Sequence, residues 1–147
     1  MKKNFVTAII LFAVLLLHIT AIAAEPLNID AQSCILIDSA SGQVLYQQNT
    51  EEKHLYPAST TKIMTAVIAL EKGELGQMMT ASESAVNDIG KDGMNIGIMA
   101  GEEISMEYLL NALLISSANE TANLIAENIC PTRQEFIDLM NEKAREL

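Results

Sequence analysis

Tyr56-Pro57-Ala58-Ser59-Thr60-Thr61-Lys62-Ile63-Met64-Thr65 holds a serine and a lysine three residues apart, at the head of an apolar run. The run continues through Ala66, Val67, Ile68, Ala69 and Leu70 and ends near Gly73 and Gly76. A proline before it and glycines after it are the start and stop marks of a helix. Helical spacing puts Ser59 and Lys62 on one face, within reach of each other. The apolar positions go nearly all round, which predicts a central, buried helix. A lysine in the first turn of such a helix is unusual. Burial and the positive end of the helix dipole both disfavour its ammonium form and push it toward the neutral amine. A neutral amine beside a hydroxyl takes its proton, which is what an activated serine nucleophile needs. The plainer reading makes Ser59 an N-cap and Lys62 a snorkelling surface residue. The S-x-x-K spacing alone does not separate the two.

Upstream, Gln32 to Gln48 reads as a β-hairpin. Ser33–Asp38 and Gln43–Gln47 are β-prone, and Ser39-Ala40-Ser41-Gly42 between them is a turn cluster. Downstream, Thr80 with Glu83 spells a capping box for a short helix toward Asn87. Gly90, Gly93 and Gly97 make the following stretch loop-like, and loops of this length are often functional. Ser105 opens a helix whose buried side is Met106, Leu109, Leu110, Leu113 and Leu114, and another runs from about Asn119 to Ile129. Pro131-Thr132 with Glu135 restarts a helix with Phe136, Ile137 and Met140 facing inward. Repeats, low-complexity tracts and internal linkers are missing from the sequence, and the final helix reaches Leu147 without a capping signal.

Residues 1–24 read as an export signal. Lys2 and Lys3 give a positive start, Phe5 to Leu17 is apolar apart from Thr7, and Ala21-Ile22-Ala23 supplies the small-residue cleavage pattern. Cleavage after Ala23 or Ala24 is expected, with an uncleaved anchor over Phe5 to Ala24 as the competing reading. Either way the working part, residues 25–147, lies outside the cytoplasm, with no membrane anchor visible in the mature chain. Loss of Lys2 and Lys3 takes the net charge from −10 to −12. So acidic a surface repels phosphates and anionic lipids, so no nucleic-acid partner is expected and a small-molecule or peptide substrate is the better default. Export permits a Cys34–Cys130 disulfide without implying one, and two buried free thiols are the plainer expectation. His18 sits in the signal and His54 in a polar connection, so a histidine triad has no support, and no metal-site spacing is present. The glycine-rich stretch lacks a P-loop lysine. Glu71, Glu74, Glu102, Glu103 and Glu107 read as a solvated face.

Ser117-Ala118-Asn119 falls at the junction of two helices. By itself Ser117 with Glu120 spells a capping box. Yet the run from Tyr56 to Thr65 resembles the active-site block of the D-alanyl-D-alanine carboxypeptidases, the low-molecular-weight penicillin-binding proteins of serine peptidase family S11. S-x-x-K, S-x-N and K-T-G blocks mark that superfamily. Asp38, Gly42, Val44 and Leu45 resemble the family's opening hairpin, and Ser117-Ala118-Asn119 is similar to its S-x-N element.

The resemblance implies an α/β, helix-rich fold of the β-lactamase/DD-peptidase (transpeptidase-like) type, and a serine-type D-Ala-D-Ala carboxypeptidase trimming peptidoglycan stem peptides. Ser59 would be the acyl-enzyme nucleophile and Lys62 its base. Ser117 would relay a proton to the leaving D-alanine, and Asn119 would bind the substrate backbone and Lys62. It further implies β-lactams as acylating inhibitors and no cofactor. The chain departs from the family in one block: Lys-Thr/Ser-Gly is missing, since the only lysine after Asn119 is Lys143, followed by Ala144-Arg145. In the family that block lies on a strand that serves the substrate carboxylate and supplies one oxyanion donor, whose loss costs roughly 10²–10³ in rate. The sequence is therefore expected to be an N-terminal portion, truncated before the C-terminal strands and of doubtful turnover. A class A-like β-lactamase and a non-catalytic peptidoglycan-binding remnant are the alternatives.

Overall fold

The structure is a computed structural model describing residues 27, 29–51 and 55–147. Residues 1–24, expected to be an export signal, and His54 fall outside the described residues. The chain divides into two compact units, Met1–Leu55 and Tyr56–Leu147.

The first unit is the expected hairpin, β1 (Cys34–Ile37) antiparallel to β2 (Val44–Gln48). Cys34 faces Gln48 and Leu36 faces Tyr46, and a register shift between Leu36 and Ile37 brings Ile37 opposite Val44. The turn is fixed by Asp38. Its Oδ1 accepts from Ser41 N at 2.8 Å and from Ser41 Oγ at 2.6 Å, and these bonds hold the carboxyl below its ordinary range. Gly42 closes the turn at φ +71°, a conformation a Cβ would disfavour. Tyr46 Oη donates to Leu27 O at 2.8 Å and Asn49 Nδ2 to Gln32 O at 2.9 Å, tying the leading segment to the second strand.

The second unit is built on helices. A 3₁₀ turn, Ala58–Thr60, runs straight into α1 (Thr61–Lys72). Then come β3 (Met78–Thr80), α2 (Glu83–Asn87), β4 (Glu103–Ser105), α3 (Met106–Ile115), α4 (Asn119–Ile129) and α5 (Arg133–Glu146). Helix α4 is the hub, packing on α1, α2, α3, α5 and β3. Its Leu124 and Ile125 are sealed against Ile68 and Ala69 of α1, Met79 of β3, Met106, Leu109 and Leu113 of α3, and Phe136 of α5. Removing a side chain such as Leu124 costs roughly 2–5 kcal/mol, through lost transfer energy and the cavity left behind. No helix among the described residues is long and apolar enough to cross a membrane.

Several local expectations need correction. The cap of α2 is Ser82, whose Oγ accepts from Ala85 N at 2.9 Å, and not Thr80, which is drawn into β3. Strands β3 and β4 pair antiparallel, with Met79 opposite Ile104. They were illegible because each has three residues, too few for an alternating pattern to show. Helix α1 is not buried all round: Ile63 and Leu70 are exposed, while Thr65, Ala66, Ile68 and Ala69 are buried. Leu114 and Ile137 also lie outward, and Ala112 takes the inward place on α3. The Ser105 and Thr132 caps hold as expected, accepting from Tyr108 N at 3.3 Å and Glu135 N at 3.2 Å. Both cysteines are free thiols, with Cys130 buried but Cys34 only half-buried. Burial pushes the Cys130 thiol up.

Candidate active site

Ser59 lies on the 3₁₀ turn rather than in α1 itself. Pro57 and the left-handed Ala58, at φ +48°, bend the chain so that the serine is presented just ahead of the helix. Left-handed backbone costs a non-glycine residue roughly 1–2 kcal/mol, so the packed helix behind must hold it there. Ser59 is exposed, and its side chain makes no capping bond. Thr60 Oγ1 instead donates to Pro57 O at 2.5 Å, which locks the turn and leaves the Ser59 hydroxyl free to point elsewhere.

That hydroxyl points at Lys62. Lys62 Nζ donates to Asn119 Oδ1 at 2.6 Å, to Ser117 Oγ at 3.1 Å and to Ser59 Oγ at 3.3 Å. Ser117 Oγ in turn donates to Ser59 Oγ at 3.0 Å. Lys62 therefore does not snorkel; it is half-buried at the centre of three oxygen atoms. Desolvation by burial pulls its pKa below the ordinary lysine value, partly opposed by the negative charge of Glu120. A neutral amine has two N–H groups and one lone pair. Asn119 and Ser117 satisfy the first two, which leaves the lone pair for the Ser59 proton.

The opposite wall is the junction between α3 and α4. Ser117 is left-handed, at φ +56°, and so leaves the helix path. The capping box over Ser117 and Glu120 does not form. The cap position is Ala118, with no side-chain bond, and Ser117 turns instead toward Ser59 and Lys62. Asn119 opens α4 and is held from both ends, its N donating to Met94 O at 2.8 Å and its Nδ2 to Ile89 O at 3.3 Å. That second bond orients the amide so that Oδ1 faces the lysine. Gly93 makes the fit possible: a Cβ there would stand 2.0 Å from Ile89 O and 2.8 Å from Asn119 Nδ2.

All four site residues expected from sequence are thus brought together within one unit. The loop-like stretch around Gly90, Gly93 and Gly97 supplies the backbone groups that seat Asn119. Glu120, a cap partner by its sequence pattern, is buried to 1 % exposure and its Oε1 accepts from Ile96 N at 2.6 Å. No sequence signal separates such a glutamate from the usual solvated acid in a first helical turn. Among the described residues no cluster of metal-ligating side chains occurs.

A family model described as D-alanyl-D-alanine carboxypeptidase matches residues 20–147. The chain belongs to the D-alanyl-D-alanine carboxypeptidase family, peptidase S11. It is 36% identical over 121 residues to the D-alanyl-D-alanine carboxypeptidase DacF of Bacillus subtilis, covering 80% of this chain and 31% of that protein. To DacC of Escherichia coli it is 34% identical over 146 residues, covering 87% and 35%. Solved structures agree in fold. Penicillin binding protein 5 from Haemophilus influenzae superposes with a TM-score of 0.73 at 28% identity, over 84% of this chain and 37% of that one. The carboxypeptidase DacD from Francisella tularensis does so with 0.70 at 29%, over 82% and 29%. The fold is that of the β-lactamase/DD-peptidase class, and the chain spans about a third of the length of the curated relatives it matches.

Proposed function

We propose that these residues form the acylating site of an exported serine-type D-Ala-D-Ala carboxypeptidase acting on peptidoglycan stem peptides. Ser59 Oγ attacks the carbonyl between the two terminal D-alanines as Lys62 Nζ accepts its proton. The proton then passes through the Ser117 hydroxyl to the departing D-alanine nitrogen, and water releases the acyl-enzyme. Asn119 holds Lys62 and hydrogen-bonds the substrate backbone. No cofactor enters these steps. A hydroxyl relay suits the absence of histidine among the gathered side chains, since Ser117 Oγ is 3.0 Å from the nucleophile and 3.1 Å from the base. The observation that carries the reading is the convergence of Lys62 Nζ on both serine hydroxyls and on Asn119.

The 147 residues contain no Lys-Thr/Ser-Gly triplet. Acylation by a β-lactam is the fitting assay. Incubated for hours with a fluorescent penicillin, the chain is expected to accumulate one covalent label, and Ser59→Ala none. A folded chain that stays unlabelled would leave a non-catalytic peptidoglycan-binding role as the better reading.

A further inference from the structure

Glu120 has no part in the steps above, yet it is the largest charged side chain sealed in the helical unit. Its residue exposure is 1 %, its Oε1 takes the Ile96 N–H at 2.6 Å, and its Oε2 has no hydrogen-bond partner among the described residues. A buried carboxylate oxygen without a partner is costly, and an apolar side chain in that place would avoid the cost. The other well-held cations are already taken: Arg133 by Glu127 and Asp88, Lys143 by Glu71 and Glu146. Lys62 is the next cation along these contacts: its Nζ donates at 2.6 Å to Asn119, the residue directly before Glu120 at the head of α4.

We propose that Glu120 is a positioning residue with two tasks: its Oε1 latches the 89–96 loop through Ile96, and its buried charge balances the ammonium that Lys62 becomes on taking the Ser59 proton. This rests on the acyl-transfer reading of Ser59 and Lys62. The latch is the third tie between this loop and the first turn of α4, beside Asn119 N to Met94 O at 2.8 Å and Asn119 Nδ2 to Ile89 O at 3.3 Å. Releasing it frees the segment that aims Asn119 at the lysine. The electrostatic task follows from the direction of charge flow. The proton leaves Ser59 Oγ for Lys62 Nζ, a positive charge appears in a half-buried place, and a fixed negative charge behind it needs no rearrangement to respond. Among the helices packed on α1, the neighbours of the amine from Ser59, Ser117 and Asn119 are neutral. The Glu71–Lys143 pair lies at the far end of α1, and the negative charge of Glu120 opposes the lowering that burial imposes on the Lys62 pKa.

Two substitutions separate the tasks, read by NMR on the full chain without any need for turnover. Glu120→Gln keeps an oxygen for Ile96 N–H but removes the charge. Lys62, followed through its side-chain carbon resonances, is expected to titrate at lower pH than in the parent, with the Ile96 amide still protected. Glu120→Ala removes both, and exchange of the Ile96 amide is expected to quicken by roughly ten- to a hundredfold, the worth of a hydrogen bond to a charged group. An unchanged Lys62 titration in folded Glu120→Gln would overturn the electrostatic task, and unchanged Ile96 exchange in Glu120→Ala the latch. If Glu120→Ala does not fold, Glu120→Asp decides, since its shorter carboxylate falls short of the Ile96 N–H and unchanged Ile96 exchange there would contradict the latch. Failure of Ser59 to take up penicillin touches neither readout, so the two readings fall separately.

Discussion

The turn from Pro57 to Lys62 and the turn from Ser116 to Glu120 meet at one amine, but they reach it by different routes. In the first, Ser59 and Lys62 belong to one continuous stretch, and the 3₁₀ turn running into α1 brings their side chains to 3.3 Å. In the second, Ser117 and Asn119 come from the junction of two helices and reach Lys62 only because α4 packs on α1. Each turn contains a non-glycine residue in the left-handed region, Ala58 at +48° and Ser117 at +56°. At Ala58 the strain sits beside the functional side chain, and at Ser117 it sits on it. The first turn is set by local sequence and the second by packing, so the two are expected to fail differently.

The largest effect is expected in the first turn. Lys62→Met keeps the helix and removes the proton acceptor, so Ser59 acylation by penicillin is expected to fall by about 10⁴-fold, the upper range for a general base. Ser117→Ala leaves the base in place and takes only the relay, and the loss in the same assay should be nearer 10²-fold. Equal losses for the two variants would show that the turns act as one unit rather than as base and relay.

The pH profile sharpens the comparison further. Burial lowers the pKa of Lys62, so acylation is expected to rise with pH along a limb that lies below the ordinary lysine value. The sign for stability follows from the same shift. Folded Lys62 holds its proton less tightly than unfolded Lys62, so its charge opposes folding at low pH. That opposition is relieved as pH climbs from the folded pKa toward the unfolded one. Urea unfolding of the parent and Lys62→Met across this range is expected to show the gap between them narrowing as pH rises.

Gly93→Ala tests the packing that seats the second turn. Its Cβ would meet backbone at Ile89 and the Asn119 amide, so a loss of about 1–3 kcal/mol in urea unfolding is expected. The smallest effect belongs to the strain itself. Ala58→Gly and Ser117→Gly should each change stability by no more than about 1 kcal/mol, upward where relief exceeds the entropy of the added glycine. Only Ser117→Gly should also slow acylation, because only there does a hydroxyl leave with the strain.

What could be read from the sequence divides along the same line. The hairpin with its Ser39–Gly42 turn, the α1 helix with its stop at Gly73, and the caps at Ser105 and Thr132 are local patterns, and each stands in the structure where those residues put it. Ser59 and Lys62 were legible for the same reason. Ser117 and Asn119 were not legible from their own residues, which spell a capping box equally well; the family resemblance drew attention to them, and the structure shows them facing Lys62. Glu120, Gly93 and the Ile96 amide were beyond reach, because their places depend on contacts across more than twenty residues of loop and helix. The outward Ile63 and Leu70 were missed because periodicity tells which residues are apolar, not which apolar face is covered.

The proposed activation of Ser59 by Lys62 is tested most directly by peptide mapping by mass spectrometry after prolonged exposure to benzylpenicillin, for the parent and for Lys62→Met. The account predicts a penicilloyl group on the peptide containing Ser59 in the parent and almost none in the variant. Label on another residue, or equal labelling of Ser59 in both proteins, would contradict it.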